Sequence, residues 1–336
     1  MTAKILALTM TLFAMSAQGA TLINGAGATF PYPLYSKWFS EYQKVDPAAQ
    51  INYQSIGSGG GIRQLLEKTV DFGASDSPMT DDQLSKASDP VLHIPTVLGA
   101  VVLTYNLPDL KAPLELSGDI VADLFLGKIT KWNDPRIMKL NPKAPLTDAA
   151  VLIVHRSDGS GTTGIFSDYL AKVSPDWKTK VGAGTALNWP AGLGGKGNEG
   201  VTGLVKQTAG AIGYVELIYA KSNTLAYAWL KNSAGKSIEP STKSVTAAAT
   251  GALKNMPADF RVSITNAAGK EAYPISGFTY LLVYKKMGAE KGKPFVKFLR
   301  WAIKDGQSFA EPLSYAPLPK ALVGKVSKKI DEMTTQ

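Results

Sequence analysis

Arg156, Asp158, Ser160, Gly161 and Thr162 fall within one short stretch, HRSDGSGTTG, residues 155–164. It sits between an apolar run, VLIV, and a segment of helical character, IFSDYLAKV. An arginine offers a planar fork suited to tetrahedral oxyanions. Small residues let backbone approach a ligand closely, and hydroxyls add donors. The stretch fits a phosphate-transferring enzyme, a passive anion cradle or a well-capped helix start.

Two further stretches share the design of small residues followed by the start of a helix. They are GAGATFP (25–31), with Thr29 and Phe30, and GSGGG (57–61), with Ser58. Helix starts expose unpaired N–H groups and the positive end of the dipole, so they receive anions readily. Each loop alone is also an ordinary capping sequence; three in one chain, one of them carrying Arg156, favour the anion. In DFGASDSPM (71–79), Asp76 follows an apolar strand, and Thr80 with Gln83 has capping-box spacing for a helix just beyond. Read alone, Asp76 fits a surface or capping role.

Other chemistries fit poorly. DFG and HR-x-D resemble kinase elements, but DFG at 71 precedes HRSD at 155, the reverse of the kinase order. GGKGN (194–198) lacks the spacing and the Ser or Thr of a P-loop. Only His93 and His155 are available, there is no cysteine, and no zinc-ligand spacing appears. A Ser160–His155 triad has no nucleophile elbow around the serine.

The elements that must position these loops alternate between β-branched runs and amphipathic segments, which predicts an α/β architecture. Strands are expected at 51–56, 70–75, 100–106, 151–156 and 278–285. Helical stripes run through Tyr35, Trp38, Phe39 and Tyr42; through Ile62, Leu65, Leu66 and Val70; and through Phe295, Phe298, Leu299, Ala302 and Ile303. Their aromatics read as core. No internal repeat or long linker interrupts the chain, so two domains would be joined by short crossings and move as on a hinge.

Composition narrows the class further. The 336 residues, 45% hydrophobic and 19% charged, suit a globular protein of two ordinary domains. The net charge of +9 is dispersed, unlike the concentrated basic patch of a nucleic-acid binder, and suits an acidic partner such as a small anion. MTAKILALTMTLFAMSAQG reads as an export signal: Lys4, an apolar middle and a small-residue cleavage site at Ala17 and Gly19. An exported chain without cysteine has neither disulfides nor a cysteine for a lipid anchor, which favours a periplasmic location.

Taken together, GAGATFP, NYQSIGSGGGIRQ, VDFGASDSPM, RSDGSGTT, WPAGLGGKGNEGV and GAIGYVE resemble, in that order, the phosphate-binding subunit of the high-affinity phosphate ABC transporter. The resemblance runs from about residue 22 to YAPLP near 315. It implies a two-domain, type II periplasmic-binding-protein-like α/β fold with a ligand cleft between the domains. One domain would comprise 20–96 and 274–336 and the other 97–273, after a signal over 1–19. It implies inorganic phosphate as ligand, an inner-membrane ABC permease and its ATPase as partners, a monomer without nucleic acid, and no catalysis, cofactor or metal. Thr29, Phe30, Ser58, Arg156, Ser160, Gly161 and Thr162 would donate to phosphate, Asp76 would accept the ligand's proton, and Asp158 would pair with Arg156. His155 and Gly59 depart from the family pattern, leaving the tuning of affinity open. A secreted phosphomonoesterase, or a binder of another tetrahedral oxyanion, is the alternative.

Overall fold

The computed structural model describes residues 20–336, so the expected export signal lies outside the described residues. Strand β1 (Thr21–Gly27) leads into helix α1 (Tyr32–Val45), strand β2 (Ala49–Ser55), helix α2 (Ser58–Leu66) and strand β3 (Phe72–Ser75). Strands β1 and β2 are parallel, as are β1 and β3, so each intervening helix is a crossover. Helix α1 buries Leu34, Tyr35, Trp38 and Tyr42 on one face, and Trp38 also donates its indole N–H to the Gly306 carbonyl at 2.7 Å. Phe39 is only partly buried, tilted against Phe298 at 5.4 Å. Helix α2 stops before Val70: Lys68 takes a left-handed conformation, φ 56°, and turns the chain toward β3.

Strand β4 (Val91–Tyr105) is the structural spine. The stretch expected to be a strand from 100 to 106 is its second half; the first half, LHIPTVLG, contains Pro95 and was not legible as strand. Its first half pairs antiparallel with Ser276–Tyr284, ending at Ala100 opposite Ser276. Its second half, from Val101 to Tyr105, pairs antiparallel with Ala211–Glu216. The chain therefore carries two β-layers hinged on one long strand. On one side the order is β2, β1, β3, Ser276–Tyr284; on the other it is Ala211–Glu216, Leu152–Arg156, Leu193–Gly195. The fold is two-domain α/β, with the two halves meeting where β4 changes partner.

Helix Gly161–Val173 follows strand Leu152–Arg156, and helix Gly197–Gln207 follows Leu193–Gly195. The C-terminal stripe forms helix Ala289–Ala302, which returns to the first half and buries Phe295, Phe298 and Leu299. Thr80 and Gln83 make the expected capping box on the short helix Asp81–Leu84.

Candidate functional site

Four helix starts converge where the two halves meet: α1, α2, Gly161–Val173 and Gly197–Gln207. Each brings N–H groups and a dipole end toward one region. At α2 the capping residue is Gly57, φ 87°, and a Cβ there would lie 2.2 Å from Asp158 Oδ2. Glycine is required at that point for both conformation and approach. Across the gap, Gly59 N donates to the Gly159 carbonyl at 2.8 Å, so the GSGGG and DGSGT loops touch directly. A side chain on Gly59 would meet Gly159 Cα at 3.0 Å, so glycine at this position permits a close approach of the loops.

Ser58 is fully buried, and its hydroxyl accepts from Gly161 N at 3.0 Å and from Asp76 N at 3.4 Å. A Cβ on Gly161 would fall 2.5 Å from Ser58 Oγ and 2.6 Å from Asp76 Oδ2. Ser58, Asp76 and Gly161, far apart in sequence, therefore form one cluster. Asp76 is 3% exposed; Thr279 Oγ1 donates to its Oδ1 at 2.8 Å, and its Oδ2 has no hydrogen-bond partner. Burial lifts its pKa to about 7, against the opposing pull of Thr279, Arg156 and Ser58.

Arg156 forms a two-pronged pair with Asp158: Nε to Oδ1 at 2.8 Å and Nη2 to Oδ2 at 2.6 Å. Burial works against the charge on Asp158, but Arg156 outweighs it and holds the carboxyl below its usual range. Asp158 Oδ1 also accepts from Gly197 N at 3.0 Å, which ties the arginine loop to the next helix start. The Arg156 amide donates to the Tyr214 hydroxyl at 3.1 Å, and that hydroxyl pairs with Thr163 Oγ1 at 2.6 Å. Ser160 caps its helix by accepting from Thr163 N at 3.0 Å, so the bland capping reading is correct for its side chain. Phe30 packs its ring beside Gly99 on β4, and its carbonyl accepts from Tyr315 at 2.6 Å.

Sequence reasoning missed Asn198. Its Nδ2 donates to Thr29 Oγ1 at 2.7 Å and to Thr162 Oγ1 at 3.2 Å. The signal is in the sequence, since GGKGN opens a helix in the same way as the other loops and belongs to a motif of the resemblance, but that motif names no contact residue here. Thr279, Tyr214 and Glu216 were missed as well, because each reaches the site from a strand whose sequence reads as core. Glu216 is fully buried, which pushes its carboxyl well above the usual range; Oε2 caps Ile218 N at 2.7 Å and Oε1 has no partner.

All eight residues expected at the site are buried, and they do not line an open groove. A surface groove of about 290 Å³ beside Ser77, Pro78 and Arg261 touches Asp76 alone, and another of about 500 Å³ along Tyr32 and Tyr219 touches none of them. A site enclosed between two halves, rather than a surface pocket, matches the burial better. Among the described residues, no group of three His, Cys, Asp or Glu side chains is placed to hold a metal. His155 stacks on Trp189 at 4.8 Å, and its Nδ1 lies 3.0 Å from the Arg156 carbonyl, so it is not paired with Ser160.

Residues 14–303 match the model of the PBP superfamily domain. The phosphate-binding protein PstS of Pasteurella multocida is 47% identical over 328 residues, covering 96% of this chain and 94% of its own. The chain belongs to the PstS family. A PstS from Methanocaldococcus jannaschii is 40% identical, with 85% and 79% covered. The fold agrees with solved relatives: a phosphate-binding protein from Stenotrophomonas maltophilia superposes with a TM-score of 0.69 at 22% identity, over 92% of this chain and 94% of the other. A high-affinity periplasmic phosphate-binding protein (PfluDING), solved with phosphate, gives 0.72 at 21% identity, over 91% and 93%. Within the PstS family, the convergence of helix starts here falls on the loops that carry the sequence resemblance.

Proposed function

We propose that this chain captures inorganic phosphate between its two lobes in the periplasm and delivers it to an inner-membrane ABC permease driven by its ATPase. The lobes would be 20–96 with 274–336, and 97–273. Thr29, Phe30, Ser58, Arg156, Ser160, Gly161 and Thr162 would supply donors, mixing backbone amides, hydroxyls and one guanidinium. Among the described residues no helix is long and apolar enough to cross a membrane, consistent with an exported carrier.

The observation that carries this reading is Asp76. Its buried carboxyl has one oxygen held by Thr279 and the other without a partner, beside the Gly161 backbone of the opposite half. An ionised carboxylate only accepts hydrogen bonds, so the oxyanion beside it must bring a proton. Phosphate near neutral pH carries one or two; sulfate carries none. At pH 8, above its pKa of about 7, the Asp76 carboxyl is mostly ionised and can only accept. Charge-assisted hydrogen bonds contribute roughly 1.5–3 kcal/mol each, so a handful would support micromolar or tighter binding, about −8 kcal/mol.

Binding without turnover is favoured by the positions of the histidine and serine that an esterase would need, since His155 stacks away from Ser160. Calorimetric titration of the purified protein with phosphate and with sulfate tests the reading. Saturable phosphate binding, about 10⁴-fold or more tighter than sulfate, is expected, with no hydrolysis of a chromogenic phosphate ester. Equal affinity for the two anions, or turnover of the ester, would overturn it.

A further inference from the structure

We propose that Asn198 is a positioning residue that locks the Thr29 and Thr162 hydroxyls as donors toward the bound anion, leaving Asp76 as the one place where the anion's proton can be received. The inference rests on the phosphate-capture reading above and assigns a role to a residue outside the expected contact set.

The orientation of the Asn198 amide follows from its neighbours. Its Oδ1 accepts from the Glu216 backbone N–H at 2.9 Å, which only the carbonyl end can do. Nδ2 therefore faces the two threonines, with one N–H for each. Thr29 Oγ1 accepts from Asn198 Nδ2 at 2.7 Å and from the Asn198 backbone N at 3.1 Å. Thr162 Oγ1 accepts from Nδ2 at 3.2 Å and from Arg156 Nη1 at 3.4 Å. A hydroxyl has two acceptor positions and one proton. Both acceptor positions on each threonine are taken, and among the described residues neither hydroxyl donates to a protein acceptor.

Asn198 is fully buried, Thr29 is 2% exposed and Thr162 is fully buried, so solvent does not reverse these roles. Thr29 precedes α1 in the first half, whereas Thr162 and Asn198 lie in helices of the second. One amide thus sets the hydrogen-bond polarity of hydroxyls on both sides of the site. An anion oxygen that carried its proton toward either threonine would meet a donor facing a donor. Selection for a protonated ligand then has two parts: Asp76 requires the proton, and Asn198 fixes which oxygen bears it.

The test uses phosphate titrations by calorimetry at pH 8 and pH 5 on the wild type, Asn198→Asp, Thr162→Val and the double variant. At pH 8 the aspartate accepts where the amide donated, turns both hydroxyls away from the anion, and should cost at least about 100-fold in affinity. Burial raises the pKa of an aspartate at that position, so at pH 5 its protonated form donates again, and the deficit relative to wild type should shrink at least about tenfold. In the Thr162→Val background, Asn198→Asp should cost clearly less than in the wild type. A deficit that is equal at both pH values and additive with Thr162→Val, or an Asn198→Asp protein within about threefold of wild type, overturns the inference. Should Asn198→Asp fail to fold by circular dichroism, Thr162→Val alone decides: a loss of at least about tenfold is expected, and unchanged affinity overturns it. Wild-type protein that binds no phosphate would instead overturn the capture reading itself.

Discussion

Thr279 donates to Asp76 Oδ1 at 2.8 Å, while Oδ2 of the same carboxyl is buried without a partner. The two oxygens therefore have different roles. One is anchored to strand Ser276–Tyr284, and the other is held ready to accept. Because Gly161 has no side chain, its backbone can lie against that second oxygen from the opposite half, and the carboxyl is sealed from water. Sealing explains its pKa of about 7, since burial penalises the charge more than Thr279, Arg156 and Ser58 favour it.

This shift fixes a pH dependence of sign opposite to that of a salt-bridged aspartate. The folded pKa lies above the unfolded value near 3.8, so the folded state binds the proton more tightly. The closed form loses stability as pH rises from about 4 to about 7 and is level above that, by up to ~4 kcal/mol. Asp76→Asn cannot ionise. Small-angle scattering without ligand should show wild type opening further between pH 5 and pH 8 and Asp76→Asn doing so less, and identical behaviour of the two would count against the sealed carboxyl.

Gly161→Ala tests the contact between the halves. The added Cβ would sit 2.5 Å from Ser58 Oγ and 2.6 Å from the Asp76 backbone N, where little can give way. Overpacking of this kind costs about 1–3 kcal/mol. Phosphate affinity should fall roughly 10- to 100-fold, and small-angle scattering should show less compaction with phosphate than for wild type. Full compaction at wild-type affinity would mean the halves do not close on this point.

Tyr214→Phe removes the acceptor of the Arg156 amide and the partner of Thr163 without changing the packed ring. A buried donor left unpaired costs about 1–3 kcal/mol. The melting temperature should drop by a few degrees, and phosphate affinity about tenfold, because the arginine loop loses its anchor. An unchanged melt would show that the loop is held by the Asp158 pair alone.

Much of this was legible in the sequence because the loops carry local signatures. GSGGG and DGSGT announce helix starts, and the bidentate partnership of Arg156 with Asp158 is local in sequence. The aromatic stripe of α1 is periodic and reads directly as core. What stayed hidden is non-local. Thr279 lies 203 residues from the Asp76 it holds, inside the apolar run FTYLLVYK, where a threonine looks like ordinary strand filling. Tyr214 and Glu216 likewise sit in a buried strand. The first half of β4 was missed because Pro95 argues against a central strand; the bulge opposite it, between Thr279 and Tyr280, is where the ladder accommodates the irregularity.

The most direct measurement of the central claim is a pair of titrations, phosphate and sulfate, on wild type and Asp76→Asn at pH 8. Wild type should prefer phosphate by about 10⁴-fold or more. The amide can donate as well as accept, so in Asp76→Asn that preference should collapse by at least about 100-fold, chiefly through tighter sulfate binding. A variant that rejects sulfate as strongly as wild type would contradict the claim that one buried carboxyl demands a proton from its ligand.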